Sequence, residues 1–124
     1  MNYLLLICNE EKAWDALPAA EQERVIGGHL AFTADLRRRG RYVAGEALQS
    51  VATATTVRVQ RGKLVTTDGP FAETKEQLGG FYLVEARDLN EAIQLATRVP
   101  QPGFGCVEVR PVLDLPGNQT GDAR

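Results

Sequence analysis

Apolar residues of the chain fall into short unbroken runs separated by stretches with helical spacing. The runs Tyr3–Cys8 and Phe81–Ala86 are apolar at almost every position, which is typical of strands buried on both faces. Near the end of the chain, valines alternate with Glu108 and Arg110, so that strand has one apolar and one polar face. Four core strands are therefore predicted, at Tyr3–Cys8, Tyr42–Leu48, Phe81–Ala86 and Cys106–Leu113.

Between these strands, apolar residues recur at spacings of three and four, which predicts two amphipathic helices. The first begins near Pro18, which suits a first helical turn, and ends at Gly40, which suits a left-handed cap. The second begins at Asp88, which forms a capping box with Glu91, and ends before Pro100. The first helix has a wide apolar face, formed by Gln22, Val25, His29, Phe32 and Leu36, with Ile26, Leu30 and Thr33 beside them.

Two segments rich in β-branched residues, Thr53–Gln60 and Lys63–Thr67, flank Arg61 and Gly62 and predict a hairpin. The element order becomes β-α-β-hairpin-β-α-β. It indicates an α+β, ferredoxin-like βαββαβ fold with an inserted β-hairpin. One domain covers residues 1–115, and the polar tail 116–124 is expected to be disordered.

The strands that are apolar on both faces also predict a partner. Two helices cover one face of such a sheet, so the other face would expose apolar side chains to water. A second copy of the same sheet covers that face most simply, and we expect a homodimer with its sheets face to face. A cleft between the sheet and the long helix, or at the dimer seam, is the expected ligand site.

Composition narrows the class of protein. The 124 residues carry 14 basic and 16 acidic side chains, and this balance argues against a nucleic-acid-binding surface. No membrane span and no signal peptide are expected, because the apolar runs are short and the first residues are not basic. Cys8 and Cys106 form neither a disulfide framework nor a zinc ligand set, which indicates a reduced, cytoplasmic protein. In the predicted fold they lie on neighbouring antiparallel strands and can be close.

His29 is the only histidine and the sharpest candidate for chemistry. Its side chain titrates near neutrality, so it can move a proton if a carboxylate orients it. The carboxylates considered for that role are Asp68, Glu46 and Glu108. The alternative is a core histidine that is hydrogen-bonded to a backbone carbonyl.

Other polar positions have two interpretations each. In one interpretation, Asp68 is a polar group and Phe71 an apolar wall of a ligand pocket. In the other, Asp68 caps its own turn and Phe71 packs in the core. Glu108 and Arg110 share a strand face and either bind a polar ligand or pair with each other, and Lys75 can meet an anionic group. The alternative for these three is a solvated edge.

Several chemistries lack the residues they need. No phosphate-cradling loop and no serine nucleophile elbow is present. Nothing supports a tightly bound flavin, haem or nicotinamide, and no metal site is predicted. We therefore expect no cofactor.

The stretch Asp68–Tyr82, DGPFAETKEQLGGFY, closely resembles the signature of the DGPF branch of the YCII-related proteins. The resemblance extends to the opening MNYLLLI, to GEAL at 45–48, to ATTVRV at 54–59 and to VEVRPV at 107–112, and so covers about residues 1–115. It implies a dimeric α+β barrel. It also implies a cleft with a histidine and an aspartate, for which His29 and Asp68 are the matching residues here.

The resemblance further implies two functional contexts. Some relatives are connected with the breakdown of aromatic compounds, and the DGPF branch is often associated with extracytoplasmic-function sigma factors. The resulting hypothesis is a cofactor-independent acid/base enzyme for a small, aromatic or apolar molecule, in which His29 transfers a proton and Asp68 orients it. Its ligand-contacting residues would be Phe71, Lys75, Glu46, Glu108 and Arg110. The alternative is a non-catalytic sensor or accessory protein beside a sigma factor.

Overall fold

A computed structural model describes residues 1–117. The predicted disordered tail, residues 116–124, lies outside the described residues except for its first two positions. The chain forms a mixed α+β structure with antiparallel sheets, as expected. Its elements are β1 (Asn2–Asn9), α1 (Glu11–Asp15), α2 (Ala19–Arg38), β2 (Tyr42–Ala47), β3 (Thr55–Gln60), β4 (Lys63–Asp68), β5 (Gln77–Glu85), α3 (Leu89–Ala96) and β6 (Cys106–Pro111), with a 3₁₀ turn at Val51–Thr53.

Four strands form one antiparallel sheet in the order β2-β5-β1-β6. The first and last strands of the chain, β1 and β6, are therefore neighbours. Cys8 lies directly opposite Cys106 in their register, so the two cysteines are close, as expected. Strands β3 and β4 form a separate two-stranded sheet. The inserted hairpin predicted from the sequence is thus confirmed.

The core lies between one face of the sheet and the helices. Alternate residues of β1 point into it, and so do alternate residues of β5, because side chains alternate along a strand. Helices α2 and α3 close it with Phe32, Leu36 and Leu95. The buried residues of this core are Tyr3, Leu5, Ile7, Phe32, Leu36, Tyr82, Val84, Ala86, Ala92, Leu95 and Val99.

The opposite face of the sheet is not covered by any helix of the described chain. It carries Leu4 and Leu6 of β1 between the buried positions of that strand, and both are only partly buried. The register places Phe81 on one side of Leu6 and Glu108 on the other. This surface, called the open face below, is apolar in its central strands and charged at its edge.

The start of α3 follows the sequence closely. The Asp88 carboxylate accepts a hydrogen bond from the Glu91 N–H at 2.9 Å, which satisfies one of the free donors of the first turn. The Glu91 carboxylate in turn accepts the Arg87 N–H at 2.7 Å and pairs with Arg41. Glu91, one of the two predicted capping residues, therefore also links α3 to Arg41, which directly precedes β2.

The long helix differs from its prediction on one flank. Val25, Phe32 and Leu36 are buried as expected, but Ile26 and Leu30 are exposed. The wide apolar face predicted for α2 is therefore wrong at these two positions. The sheet does not reach this flank, because a cavity separates it from the helix. Among residues 1–117, no helix is long and apolar enough to cross a membrane.

Candidate functional site

A cavity of about 610 Å³ lies between α2 and the β2–β5 side of the sheet. This volume is in the range of small-molecule sites. Helix α1 and the loop after α3 contribute further walls, through Trp14 and through Pro100 to Pro102. The cavity is therefore a cleft between helix and sheet, one of the two locations expected from the sequence.

Small residues in the sheet create this space. Gly45 pairs with Tyr82, and Ala47 pairs with Gly80. Gly45, Ala47 and Gly80 therefore lie on the helix-facing side of the sheet, together with the core residues Tyr82 and Ile7. Apart from Tyr82, no long side chain rises from the floor at these positions, which leaves a space between α2 and the sheet.

The glycines are also required by close approaches. A Cβ atom on Gly45 would lie 2.8 Å from Cδ1 of Tyr82, which no ordinary contact allows. A Cβ atom on Gly80 would lie 2.8 Å from the Glu46 carbonyl oxygen. Gly45 therefore makes room for the ring of Tyr82, and Gly80 lets β2 pair closely with β5.

His29 projects from α2 into the cavity and is partly buried. Its Nδ1 lies 2.8 Å from the hydroxyl of Tyr82, and the two rings stack with centroids 5.8 Å apart. The Thr33 hydroxyl, one helical turn after His29, lies 3.4 Å from the same Tyr82 oxygen. Phe32 packs edge-on against the Tyr82 ring and holds it in place.

The environment keeps both rings neutral. Burial lowers the pKa of His29, and the backbone of Pro100 opposes this shift in part by stabilising the protonated ring. Because proline has no N–H, that partner is the Pro100 carbonyl, which can accept a hydrogen bond from the imidazole. Burial raises the pKa of Tyr82, so its hydroxyl stays protonated, although Thr33 lowers that pKa slightly.

These partners define a direction for the hydrogen bonds. With the imidazole N–H directed to the Pro100 carbonyl, the free lone pair is on Nδ1, and Nδ1 accepts from the Tyr82 hydroxyl. The Tyr82 oxygen in turn accepts from Thr33. The chain Thr33–Tyr82–His29 can therefore pass a proton from the cavity to the imidazole.

The rest of the lining is aromatic, aliphatic and acidic. Two acidic side chains, those of Glu11 and Asp15, line the cavity, and no lysine or arginine of residues 1–117 does. Glu46 borders the cavity too, but it pairs with Phe81 and directs its side chain to the open face. The Glu11 carboxylate is already bonded to the Ser50 hydroxyl at 2.9 Å and to the Val51 N–H at 3.0 Å. The cavity thus favours neutral or cationic groups over anions.

The structure brings together only part of the predicted site. Of the predicted residues, His29 and Glu46 line the cavity, whereas Asp68, Phe71 and Lys75 do not. Asp68 ends β4 in the exposed hairpin, and the partners of His29 within its own chain are Tyr82 and Pro100. An orienting contact from Asp68 to His29 is therefore absent among residues 1–117.

The other predicted ligand contacts lie elsewhere. The Arg110 Nε donates to the Glu108 carboxylate at 2.8 Å, so these residues pair with each other on the open face. Phe71 is 74% exposed, and its carbonyl accepts a hydrogen bond from Arg58. The prediction that these residues contact a ligand stays a prediction.

Tyr82, whose hydroxyl contacts His29, is not among the site residues predicted from the sequence. Its position in an apolar strand marked it as core, and a partner 53 positions away leaves no local signal. Thr33 carried a local signal, since residues four apart lie on the same helix face. From the sequence, Pro100 indicates only the end of the second helix, and nothing there connects its carbonyl with His29.

The cysteines do not add a metal site. In residues 1–117, no group of three or more His, Cys, Asp or Glu side chains is arranged to hold a metal ion. Burial raises the pKa of both Cys8 and Cys106, and the nearby Glu76 carboxylate raises both further. Both cysteines are free thiols.

Comparison with known proteins places the chain in a family. The model of the YCII-related domain matches residues 1–116. An uncharacterised protein of Rhizobium meliloti (strain 1021) is 37% identical over 114 residues, which cover 90% of this chain and 92% of that protein. The chain therefore belongs to the YCII-related family.

Proposed function

We propose that this protein binds a small organic molecule in the cavity and transfers a proton to or from it through the Tyr82–His29 pair. The observation that carries this proposal is the 2.8 Å contact between His29 Nδ1 and the Tyr82 hydroxyl inside a cavity of ligand size. Both groups are neutral at rest, which suits a relay that starts with a proton-accepting imidazole.

The proton path begins at the phenol. A ligand proton moves to the Tyr82 oxygen while the Tyr82 hydroxyl proton moves to His29 Nδ1. The Pro100 carbonyl and the acidic lining stabilise the imidazolium that forms. No cofactor takes part in this step. Trp14, Tyr42 and Tyr82 favour an aromatic or apolar ligand body.

The finer family assignment is part of the same proposal. The DGPFAETKEQLGGFY stretch supports the DGPF branch, and the strand order β2-β5-β1-β6 supports a ferredoxin-like topology. The partly exposed leucines of the open face support a homodimer with its sheets face to face, in the manner of a dimeric α+β barrel. Cys8 and Cys106 lie opposite each other in the strand register as free thiols, which suits a cytoplasmic location.

NMR on tag-free protein tests the proposal directly, because the single histidine gives unambiguous ring signals. The expected result is that His29 titrates below its ordinary pKa and that its signals move when a neutral or cationic aromatic compound, phenol or benzylamine, is added. Benzoate should have a smaller effect, because the carboxylates of Glu11 and Asp15 line the cavity. Tyr82→Phe should change the titration and keep the fold.

Two results would contradict the proposal. One is a His29 signal that does not titrate between roughly pH 4 and 9, a range around the ordinary histidine pKa. The other is a set of ring shifts that respond equally to aromatic compounds and to aliphatic compounds of the same charge. Either result would make His29 a structural core residue.

A second function, binding without turnover, is favoured by one observation. His29 is engaged by its own chain, since its Nδ1 lies against the Tyr82 hydroxyl and the Pro100 carbonyl stabilises its protonated ring. A sensor or accessory protein beside an extracytoplasmic-function sigma factor needs only the cavity. For this function, Tyr82→Phe should change the ligand affinity by no more than about twofold. The rate at which an aromatic compound exchanges protons with solvent should also be the same with and without the protein.

A further inference from the structure

The hairpin arm, β3 and β4 with their turn (Thr55–Asp68), has an apolar face without a cover in its own chain. It pairs with no other strand, and every residue of it except Thr56 is exposed. Val57, Val59 and Leu64 share one face in the β3–β4 register, and Val59 and Leu64 are 71% and 74% exposed. An isolated two-stranded hairpin is at best marginally stable in water. The arm therefore needs a surface to pack on.

The tip of the arm is basic and held in one shape. Arg61 and Gly62 both have positive φ, 52° and 78°, which gives the turn that joins β3 to β4. Arg61 and Lys63 lie at this tip, and the only acidic residue of the arm, Asp68, lies at its base. The arm thus presents positive charge far from its attachment.

The mouth of the cavity is complementary to the arm. Its carboxylates are those of Glu11 and Asp15, and no lysine or arginine of the described chain lines it. Leu30, also at the cavity, is 73% exposed, and Ile26 beside it is exposed as well. An acidic opening with an apolar rim matches an apolar arm with a basic tip.

The arm stands away from the cavity of its own chain. It begins five positions after Ser50, which lines that cavity, and hydrogen bonds from Gly69 N–H to the Ala54 carbonyl and from Thr56 to Gly69 close its base. Its six-residue strands extend the tip by about 20 Å from this base. The surface complementary to the tip is therefore available on a second copy.

We propose that the hairpin arm of one copy closes over the cavity of a second copy, with Val57, Val59 and Leu64 on the apolar rim and Arg61 and Lys63 beside its carboxylates. In a twofold dimer the contact is reciprocal, so both cavities are covered. Each site is then incomplete in a single chain, and the partner supplies its basic groups. This inference goes beyond the proposed function, since it requires neither a ligand nor catalysis.

Carbodiimide crosslinking tests the contact, because the reagent joins only carboxylates to amines that touch them. Unlabelled and ¹⁵N-labelled protein are mixed until native mass spectrometry shows mixed dimers, and the mixture is then crosslinked and digested. The expected products are mixed-isotope peptides that join Lys63 to Glu11 or Asp15. Lys63→Arg keeps the charge but removes the amine, so these products should disappear while crosslinks from Lys12 remain.

A second variant tests the apolar half of the contact. Leu64→Asp changes a side chain that is 74% exposed in its own chain, so the fold should be kept, and the Lys63 crosslinks should fall at least fivefold. The inference is overturned by a monomer in light scattering, by Lys63 crosslinks only within same-isotope pairs, or by mixed crosslinks from Lys63 to other carboxylates such as Glu108. A monomer would also contradict the proposed homodimer, but none of these results bears on the titration of His29, so the arm contact and the proposed ligand binding and proton transfer fail separately.

Discussion

At the scale of single residues, the state of His29 depends on its surroundings more than on its own chemistry. Burial lowers its pKa, and the neutral ring can accept a hydrogen bond at Nδ1 from the Tyr82 hydroxyl. An unfolded chain gives histidine its ordinary pKa of about 6.5. The unfolded state therefore binds the proton more tightly than the folded state does.

This difference predicts a pH dependence of stability. The free energy of unfolding should be highest above about pH 6.5 and should fall as the pH drops through that value toward the lowered folded pKa. Urea unfolding between about pH 5 and 8 measures it. His29→Gln should remove this part of the pH dependence. An unchanged slope in the variant would mean that other groups cause the loss.

Gly45 is the residue on which the position of Tyr82 depends. Gly45→Ala places a methyl group 2.8 Å from the Tyr82 ring, so the ring must shift or the strands must separate. We expect a loss of about 1–3 kcal/mol in the free energy of unfolding and a changed His29 ring signal. Gly79→Ala is the matched control, since the nearest atom to its Cβ is 3.9 Å away. Equal effects of the two substitutions would exclude the specific contact.

Cys8 and Cys106 lie opposite each other on adjacent antiparallel strands. Their Cα atoms are then about 4.5–5.5 Å apart, a distance that a disulfide can span. Diamide should oxidise the pair within one chain, with a mass loss of two hydrogens that Cys106→Ser abolishes. The reaction should accelerate as the pH rises, because both thiol pKa values are raised. Disulfides found only between chains would contradict the register.

At the scale of elements, α3 depends on its first residue. Asp88→Ala removes the hydrogen bond to the Glu91 N–H and should cost about 1 kcal/mol in the free energy of unfolding. Asp88→Asn retains an acceptor at the same place and should cost clearly less. Urea unfolding of the two variants distinguishes a lost cap from a lost charge, since both remove the carboxylate.

The elements that the sequence predicted well are those with local causes. The capping residues of α3, the turn at Arg61 and Gly62, and the helical spacing of α2 all act over a few positions. Strand β5 was less well predicted, because it begins at Gln77 rather than Phe81. Its first residues pair with β1 and β2 through Gly79 and Gly80, and this pairing depends on distant strands. The short helix α1 was not separated from α2, because a single turn has no periodicity of its own.

At the scale of the whole molecule, the open face predicts self-association. Leu6 lies at the centre of this face, between Phe81 and Glu108. Leu6→Arg should convert the dimer to a monomer in light scattering, because an unpaired charge would be buried between the sheets. Ile93→Arg is the control, since Ile93 is an exposed apolar residue on α3, and it should leave the dimer intact. A dimer that survives Leu6→Arg would have to use another surface.

The sequence by itself determined the order of the elements, the hairpin and the family, because short-range patterns and a long ordered motif carry that information. It also indicated the only histidine. Only the tertiary structure decided what that histidine contacts: Tyr82 lies 53 positions away, and Asp68 lies in an arm that leaves the site. The cavity, too, arises from small residues on two strands that meet under α2. Contacts between distant strands depend on register and on the path of the chain, and neither leaves a periodic signal in the sequence.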